Sequence, residues 1–186
     1  MAKKLADPAV ALFIEAAQSF CELLERKSQS SKPEFFREAL TATVALYSAG
    51  LQLPDVEPEA GFNPPGEWFE KHKGLPIREQ IKRNPKVQEH SRLKQMIREN
   101  IILSLGGELP YQNVFEPFQD HESVTTTLSD DLEDIYCDLK RGLLEMEHSA
   151  GVSANIVWDW KFSLESHWGR HAVSAIGALH CLVFRE

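Results

Sequence analysis

At 186 residues the chain can bury one sizeable core but is too short for two domains of ordinary size. Lys and Arg number 20 against 28 Asp and Glu, a formal charge of -8, which argues against a general nucleic-acid binder with its cationic footprint. Hydrophobic residues at 42% and charged residues at 26% describe an ordinary globular protein rather than a disordered or membrane-embedded one.

The apolar stretch Ala9–Ile14 is closed by Glu15. It is too short for a signal peptide, and no later run reaches the roughly 20 apolar residues of a membrane span. From Pro8 to Lys27, apolar residues at Val10, Phe13, Ile14, Ala17, Phe20, Cys21 and Leu24 predict an amphipathic helix. After the polar break Ser28–Lys32, Pro33 suits a first helical turn, and Phe36, Leu40, Val44 and Tyr47 mark a second apolar stripe running to Gly50. Two antiparallel helices joined by a short turn are expected.

The character changes between Pro54 and Pro85, where six of the ten prolines fall together with Gly61, Gly66 and Gly74. This cannot be one continuous helix. Phe62, Trp68 and Phe69 give it apolar weight, so an ordered excursion over the body, an insertion at about 54–86, is expected. A helix resumes near Val87 and runs to Leu105 on a stripe of Leu93, Ile97, Ile101 and Leu105, with Gly106 and Gly107 as its stop. Glu108–Leu128 reads as a second connection without strand-type alternation.

Thr127 or Ser129 can cap the next helix, with Asp130 and Asp131 in its first turn, where acids complement the helix dipole. Its apolar stripe is Leu128, Leu132, Ile135, Leu139, Leu143 and Met146. At about 100° per residue, Asp131, Asp134 and Asp138 share one flank beside that stripe. The dipole accounts for Asp130 and Asp131 but fades beyond the first turn. Asp134 and Asp138 therefore call for a cationic partner: Arg, Lys, protonated His or a metal ion. The last helix is predicted from about Ala154 to Phe184. Its few charges make it central, with Trp158, Trp160 and Trp168 as core aromatics whose indole N–H groups need acceptors.

That helix carries His167-Trp168-Gly169-Arg170-His171. Histidines four apart project from one helical face and can share a metal, and both are expected to be largely buried. In one reading, Asp131, Asp134, Asp138, His167, Trp168, Arg170 and His171 form a polar cluster that ties two helices together, with Arg170 paired to an aspartate. In a sharper one, Asp134, Asp138, His167 and His171 hold a divalent metal ion inside a helical bundle. The glutamate of HExxH is missing, which disfavours a zinc protease.

Cys21, Cys137 and Cys181 are widely spaced and odd in number, so neither a disulfide framework nor a CxxC knuckle is expected, and the cytoplasm is the expected compartment. Their apolar neighbours predict inert, mostly buried thiols. Between Lys71 and Arg98, nine basic residues stand against Glu79 and Glu89, a +7 arm that leaves -15 for the rest of the chain. Docking of this arm on the acidic body is the favoured reading, and anion or nucleic-acid binding through it the alternative.

The strings LSDDLEDIYCDLKRGL (Leu128–Leu143) and VWDWKFSLESHWGRHAVSAIGALH (Val157–His180), preceded by ALYSAGLQLPDV and NVFEPF, resemble a family of uncharacterised bacterial helical proteins grouped as a domain of unknown function. The resemblance implies a helical fold and carries no implication about chemistry. The sequence thus predicts one all-α domain over 1–186, an up-and-down helical bundle of about five main helices with a Pro-rich excursion. Without a phosphate loop, nucleophile elbow or redox CxxC it leans away from a standard enzyme class. A binding or interaction protein, acting on a protein partner or as a homo-oligomer, is the first expectation. A metal-binding protein or metal-assisted hydrolase is the second.

Overall fold

The structure, a computed structural model, describes residues 7–26, 31–62, 85–114, 118, 122–149 and 151–184, with side chains of the third helix described from residue 92 onward. Helix α1 spans Pro8–Glu25 and begins where the Asp7 carboxylate accepts from the Ala9 N–H at 2.8 Å, satisfying a donor that has no partner within the helix. Helix α2 spans Lys32–Gly50 behind a capping box in which Ser31 and Glu34 bond each other reciprocally.

The buried line of α2 is Phe35, Ala39, Thr43, Leu46 and Gly50, one residue off the expected stripe; Phe36, Leu40 and Tyr47 flank the core and Val44 is exposed. Close approach decides this. A Cβ on Gly50 would lie 2.8 Å from the Trp168 ring, so small residues face the last helix. Thr43 tolerates burial because its hydroxyl donates to the Ala39 carbonyl at 2.7 Å.

Residues 54–62 form the described start of the Pro-rich excursion. They run against the body, with the Glu59 N–H donating to the Asn155 side chain at 2.7 Å and Phe62 edge-on to Trp158. The expected insertion at about 54–86 otherwise lies outside the described residues over 63–84.

Helix α3, Pro85–Leu105, buries Ile97, Ile101 and Leu105. It ends where Gly106, at φ 76°, donates to the Ile102 carbonyl at 2.9 Å. The connection that follows is not strand-free as expected. Strands β1 (Pro110–Asn113) and β2 (Val124–Thr127) pair antiparallel, with Pro110 opposite Thr127. Four-residue strands are too short for alternation to register, but Val124 and three threonines are β-branched residues that suit a pleated surface. The ladder continues into helix α4 through Leu128 N–H to Leu109 O at 3.1 Å.

Helix α4, Leu128–His148, is capped by the Thr127 hydroxyl, which accepts from Asp130 N–H at 3.2 Å. It buries the expected line Leu128, Leu132, Ile135, Leu139 and Leu143. The predicted final helix is interrupted: α5 (Ala154–Ser163) passes through a π-helical turn (Leu164–Trp168) into α6 (Gly169–Val183). Gly169 makes the turn feasible, since a Cβ there would lie 2.1 Å from the Leu164 carbonyl oxygen. In π geometry the carbonyl five residues back crowds that position.

Helix α6 packs on α2 and α4, α1 on α2 and α4, and α3 on α4, giving an all-α bundle that, among the described residues, has five helical columns and one small β-ribbon. Phe13 meets Trp160 and Trp168 at centroid distances of 5.1 and 6.1 Å in its centre. The indole N–H groups find their acceptors, Trp160 at the Leu139 carbonyl and Trp168 at the Trp160 carbonyl. Gly142 makes room for Trp160, whose Nε1 would be 2.3 Å from a Cβ there.

The final column is less enclosed than expected. Trp158 is half-buried and stacks on Phe162, and Phe162, Val173 and Phe184 are at least half exposed. The thiols divide likewise: Cys21 is buried, Cys137 half-buried and Cys181 exposed on that outer face. Among the described residues, no helix is long and apolar enough to cross a membrane.

Candidate functional site: a histidine and aspartate cluster

Helix α4 presents Asp131, Asp134 and Asp138 on one flank, and the π-turn and α6 bring His167 and His171 against it. His171 Nδ1 lies 2.8 Å from Asp131 Oδ1, and His167 Nδ1 lies 2.8 Å from Asp138 Oδ2. The two imidazoles meet nearly edge to face, 4.9 Å between centroids. With each Nδ1 engaged by a carboxylate, each Nε2 is the remaining ring atom. His171 Nε2 stands 3.6 Å from Asp134 Oδ2, and one ligand atom each from Asp134, His167 and His171 lie within 4.8 Å of one another.

Each carboxylate has a further partner. The Tyr111 hydroxyl donates to Asp131 Oδ2 at 2.5 Å, and Arg141 donates to Asp138 Oδ1 at 3.4 Å while also reaching Asp159 at 3.0 Å. Lys94 donates to Asp134 Oδ1 at 3.1 Å and lies 3.2 Å from Glu133. Glu133, only 1% exposed, also accepts from Arg98 at 2.7 Å.

The electrostatics follow from these contacts. The bond to Asp138 raises the pKa of His167 above the ordinary histidine value, outweighing partial burial. Burial works against the charge of Lys94, but Asp134 and Glu133 prevail and raise its pKa. Burial, then the bond to Asp131, raises that of Tyr111. Burial also pushes the Cys137 thiol up to about 12, away from the reactive thiolate form. Asp159 is raised by burial, with Arg141 opposing.

Of the residues expected to cluster, Asp131, Asp134, Asp138, His167 and His171 do come together. Trp168 lies instead in the core between Phe13 and Gly50. Arg170 is exposed beside the groove on the other side of α6; the arginine bonded to Asp138 is Arg141. His171 is mostly enclosed, its side chain 13% exposed, but His167 is 50% exposed, contrary to the expected burial of both. The buried line through the π-turn runs Trp160, Leu164, Trp168, Ala172, leaving His167 on the flank. Asp138 stands behind His167 at Nδ1, outside the group of three converging atoms.

Sequence reasoning missed Tyr111, Lys94, Glu133, Arg141 and Asp159. Tyr111 sat in a connection with no pattern, whereas Lys94 was counted only as part of the basic arm. Lys94 and Arg98 are paired to α4 acids, as docking of that arm predicts. The expectation for Lys71 to Lys86 lies outside the described residues.

No curated protein matches the chain. The crystal structure of protein BF1032 from Bacteroides fragilis shares its fold, with a TM-score of 0.69 at 20% identity over 97% of this chain and 95% of that one. A family described as a domain of unknown function, DUF5063, matches residues 5–185, and with nearly its whole length covered the chain belongs to that family.

Proposed function

We propose that Asp134, His167 and His171 hold one divalent metal ion, and that the protein works as a metal-binding protein whose open coordination positions suit metal-assisted hydrolysis. One observation carries this reading: all three ligands are fixed at the atom that would not bind metal. His167 is held at Nδ1 by Asp138, His171 at Nδ1 by Asp131, and Asp134 at Oδ1 by Lys94. Metal-bound histidines are typically oriented in this way by a carboxylate on the second ring nitrogen, which fixes the tautomer and makes the ligating nitrogen more basic.

The spacing agrees. Ligands about 2.1 Å from a tetrahedral metal sit about 3.4 Å apart, close to the 3.6 Å between His171 Nε2 and Asp134 Oδ2 and too long for a good hydrogen bond. Two histidines and a monodentate carboxylate leave positions for water and substrate, where a metal lowers the pKa of bound water. A bare structural network uses the same two Nδ1 bonds but gives no role to the approach of both imidazoles to Asp134. With three free thiols, we place this work in a reducing compartment such as the cytoplasm.

Metal analysis of protein purified without an affinity tag, with thermal shift on adding Zn, Mn or Fe(II), tests the proposal. About one equivalent per chain is expected. At a metal concentration about 100 times Kd, stabilisation of about 2.7 kcal/mol would raise the midpoint by roughly 5–10 °C. Metal-free protein that gives no shift, or a His171→Ala variant that shifts as wild type does, leaves the cluster a structural network.

A further inference from the structure

His171 is the most enclosed of the three proposed ligands. Its side chain is 13% exposed, against 21% for Asp134 and 50% for His167, and the Asp131 side chain that meets its Nδ1 is only 2% exposed. Water can replace a lost partner beside His167. At Asp131 almost no surface is open to it, so the protein must meet both carboxylate oxygens itself. It does so with one group each: His171 Nδ1 stands 2.8 Å from Oδ1, and the Tyr111 hydroxyl donates to Oδ2 at 2.5 Å. A carboxylate free to turn about its last torsion could offer the imidazole either oxygen or neither. The hydroxyl fixes that rotation.

Tyr111 belongs to the β-ribbon, which needs a reason to lie where it does. Two paired four-residue strands are not stable alone in water. The ribbon is fixed where Leu128 N–H donates to Leu109 O and Ser129 N–H to Glu108 O, and where the Asn113 amide donates to Ser174 Oγ on α6 at 2.8 Å. Leu109 enters it at φ 53°, a left-handed backbone that a residue with a Cβ keeps only where surrounding contacts impose it. That turn sends the chain back over the first turn of α4, where Asp131 stands. The ribbon thus delivers one hydroxyl to the carboxylate behind the enclosed histidine.

We propose that Tyr111 is a positioning residue of the metal centre: its hydroxyl locks the Asp131 carboxylate, so that His171 presents Nε2 to the ion. The inference rests on the metal reading above and adds the ribbon to it. What seats Tyr111 on Asp131 strengthens the metal site, and by linkage the metal strengthens the seating of the ribbon by the same factor.

The experiment measures Zn affinity by competition with the chromophoric chelator Zincon, and the visible absorption of the Co(II) form, for the full chain and two variants. Tyr111→Phe removes the hydroxyl and keeps the ring. Tyr136→Phe makes the same change on α4 at a hydroxyl bonded to Glu25 at 2.7 Å, outside the cluster. Tyr111→Phe is expected to bind Zn about tenfold to a hundredfold more weakly, the range for lost outer partners of metal ligands, and to shift the Co(II) bands, which report ligand geometry. Tyr136→Phe should match wild type in both, whatever its loss in urea midpoint. Wild-type affinity or an unshifted spectrum in Tyr111→Phe overturns the proposal and leaves the metal site standing. Equal weakening in Tyr136→Phe overturns it too, since the effect would then be one of stability. A wild type that takes up neither ion overturns the metal reading itself, and this inference with it.

Discussion

Replacing Gly169 and Gly177 by alanine, eight residues apart on one helix, should change stability in opposite directions. At 169 the new Cβ would lie 2.1 Å from the Leu164 carbonyl oxygen and 2.9 Å from Leu164 Cδ1. An ordinary carbon–oxygen contact is over 3 Å, so the backbone must move by about 1 Å. Such overpacking costs typically 1–3 kcal/mol, against a gain of about 1 kcal/mol from alanine's helix propensity. Gly169→Ala is thus expected to destabilise by up to about 2 kcal/mol. Gly177→Ala meets no described atom and should stabilise by up to about 1 kcal/mol. Urea unfolding of the three proteins, with unchanged slopes, reads both shifts from the midpoints. Because the π-turn carries His167, Gly169→Ala should also weaken any metal binding at the cluster. Two variants shifting together, or a stabilised Gly169→Ala, would refute the assignment of Gly169 to the π-turn.

Three further substitutions probe the network around the cluster. Arg98→Ala removes the 2.7 Å donor from Glu133, which is 1% exposed. With Lys94 its remaining partner among the described residues, the buried carboxylate should cost the fold about 2 kcal/mol by urea unfolding; an unchanged midpoint would refute a stabilising role for the Arg98–Glu133 pair. Tyr136→Phe deletes the bond from the Tyr136 hydroxyl to Glu25, 2.7 Å long, while Lys140 keeps its own contact with Glu25. A loss of about 1 kcal/mol is expected in the same assay. In metal-free protein, His167 has a raised pKa because of Asp138. Its contribution to stability is complete below the ordinary histidine value of about 6.5 and is lost as pH rises through the raised one. Asp138→Asn should remove that decline, measured as the unfolding midpoint between pH 5.5 and 8.5 in the presence of chelator. Parallel curves for wild type and variant would contradict the assignment.

Where burial follows helical periodicity, the sequence was sufficient. The α4 stripe and its acidic flank were readable because leucine, isoleucine and aspartate fall at three- and four-residue spacing, and the i,i+4 histidines pointed at that flank. Two features were hidden by close packing. The buried line of α2 includes Ala39 and Gly50, small residues without hydrophobic signal, and Trp168 lies against Gly50. The π-turn leaves no periodic signature in five residues, although Gly169 next to Trp168 is its local mark. Tyr111 reaches Asp131 only because the β-ribbon folds back against the start of α4, a contact 20 residues apart in sequence that no local pattern could predict. Lys94 and Arg98 looked like members of a basic arm, and their partners on α4 became visible only once α3 was seen packed there.

Anomalous diffraction from a crystal of tag-free protein equilibrated with Zn or Mn tests the metal proposal most directly. The account predicts one strong peak about 2.0–2.2 Å from His167 Nε2, His171 Nε2 and Asp134 Oδ2, with Asp138 and Asp131 still bonded to the two Nδ1 atoms. No peak at the cluster, or peaks confined to exposed acids such as Glu108 and Asp130, would contradict it.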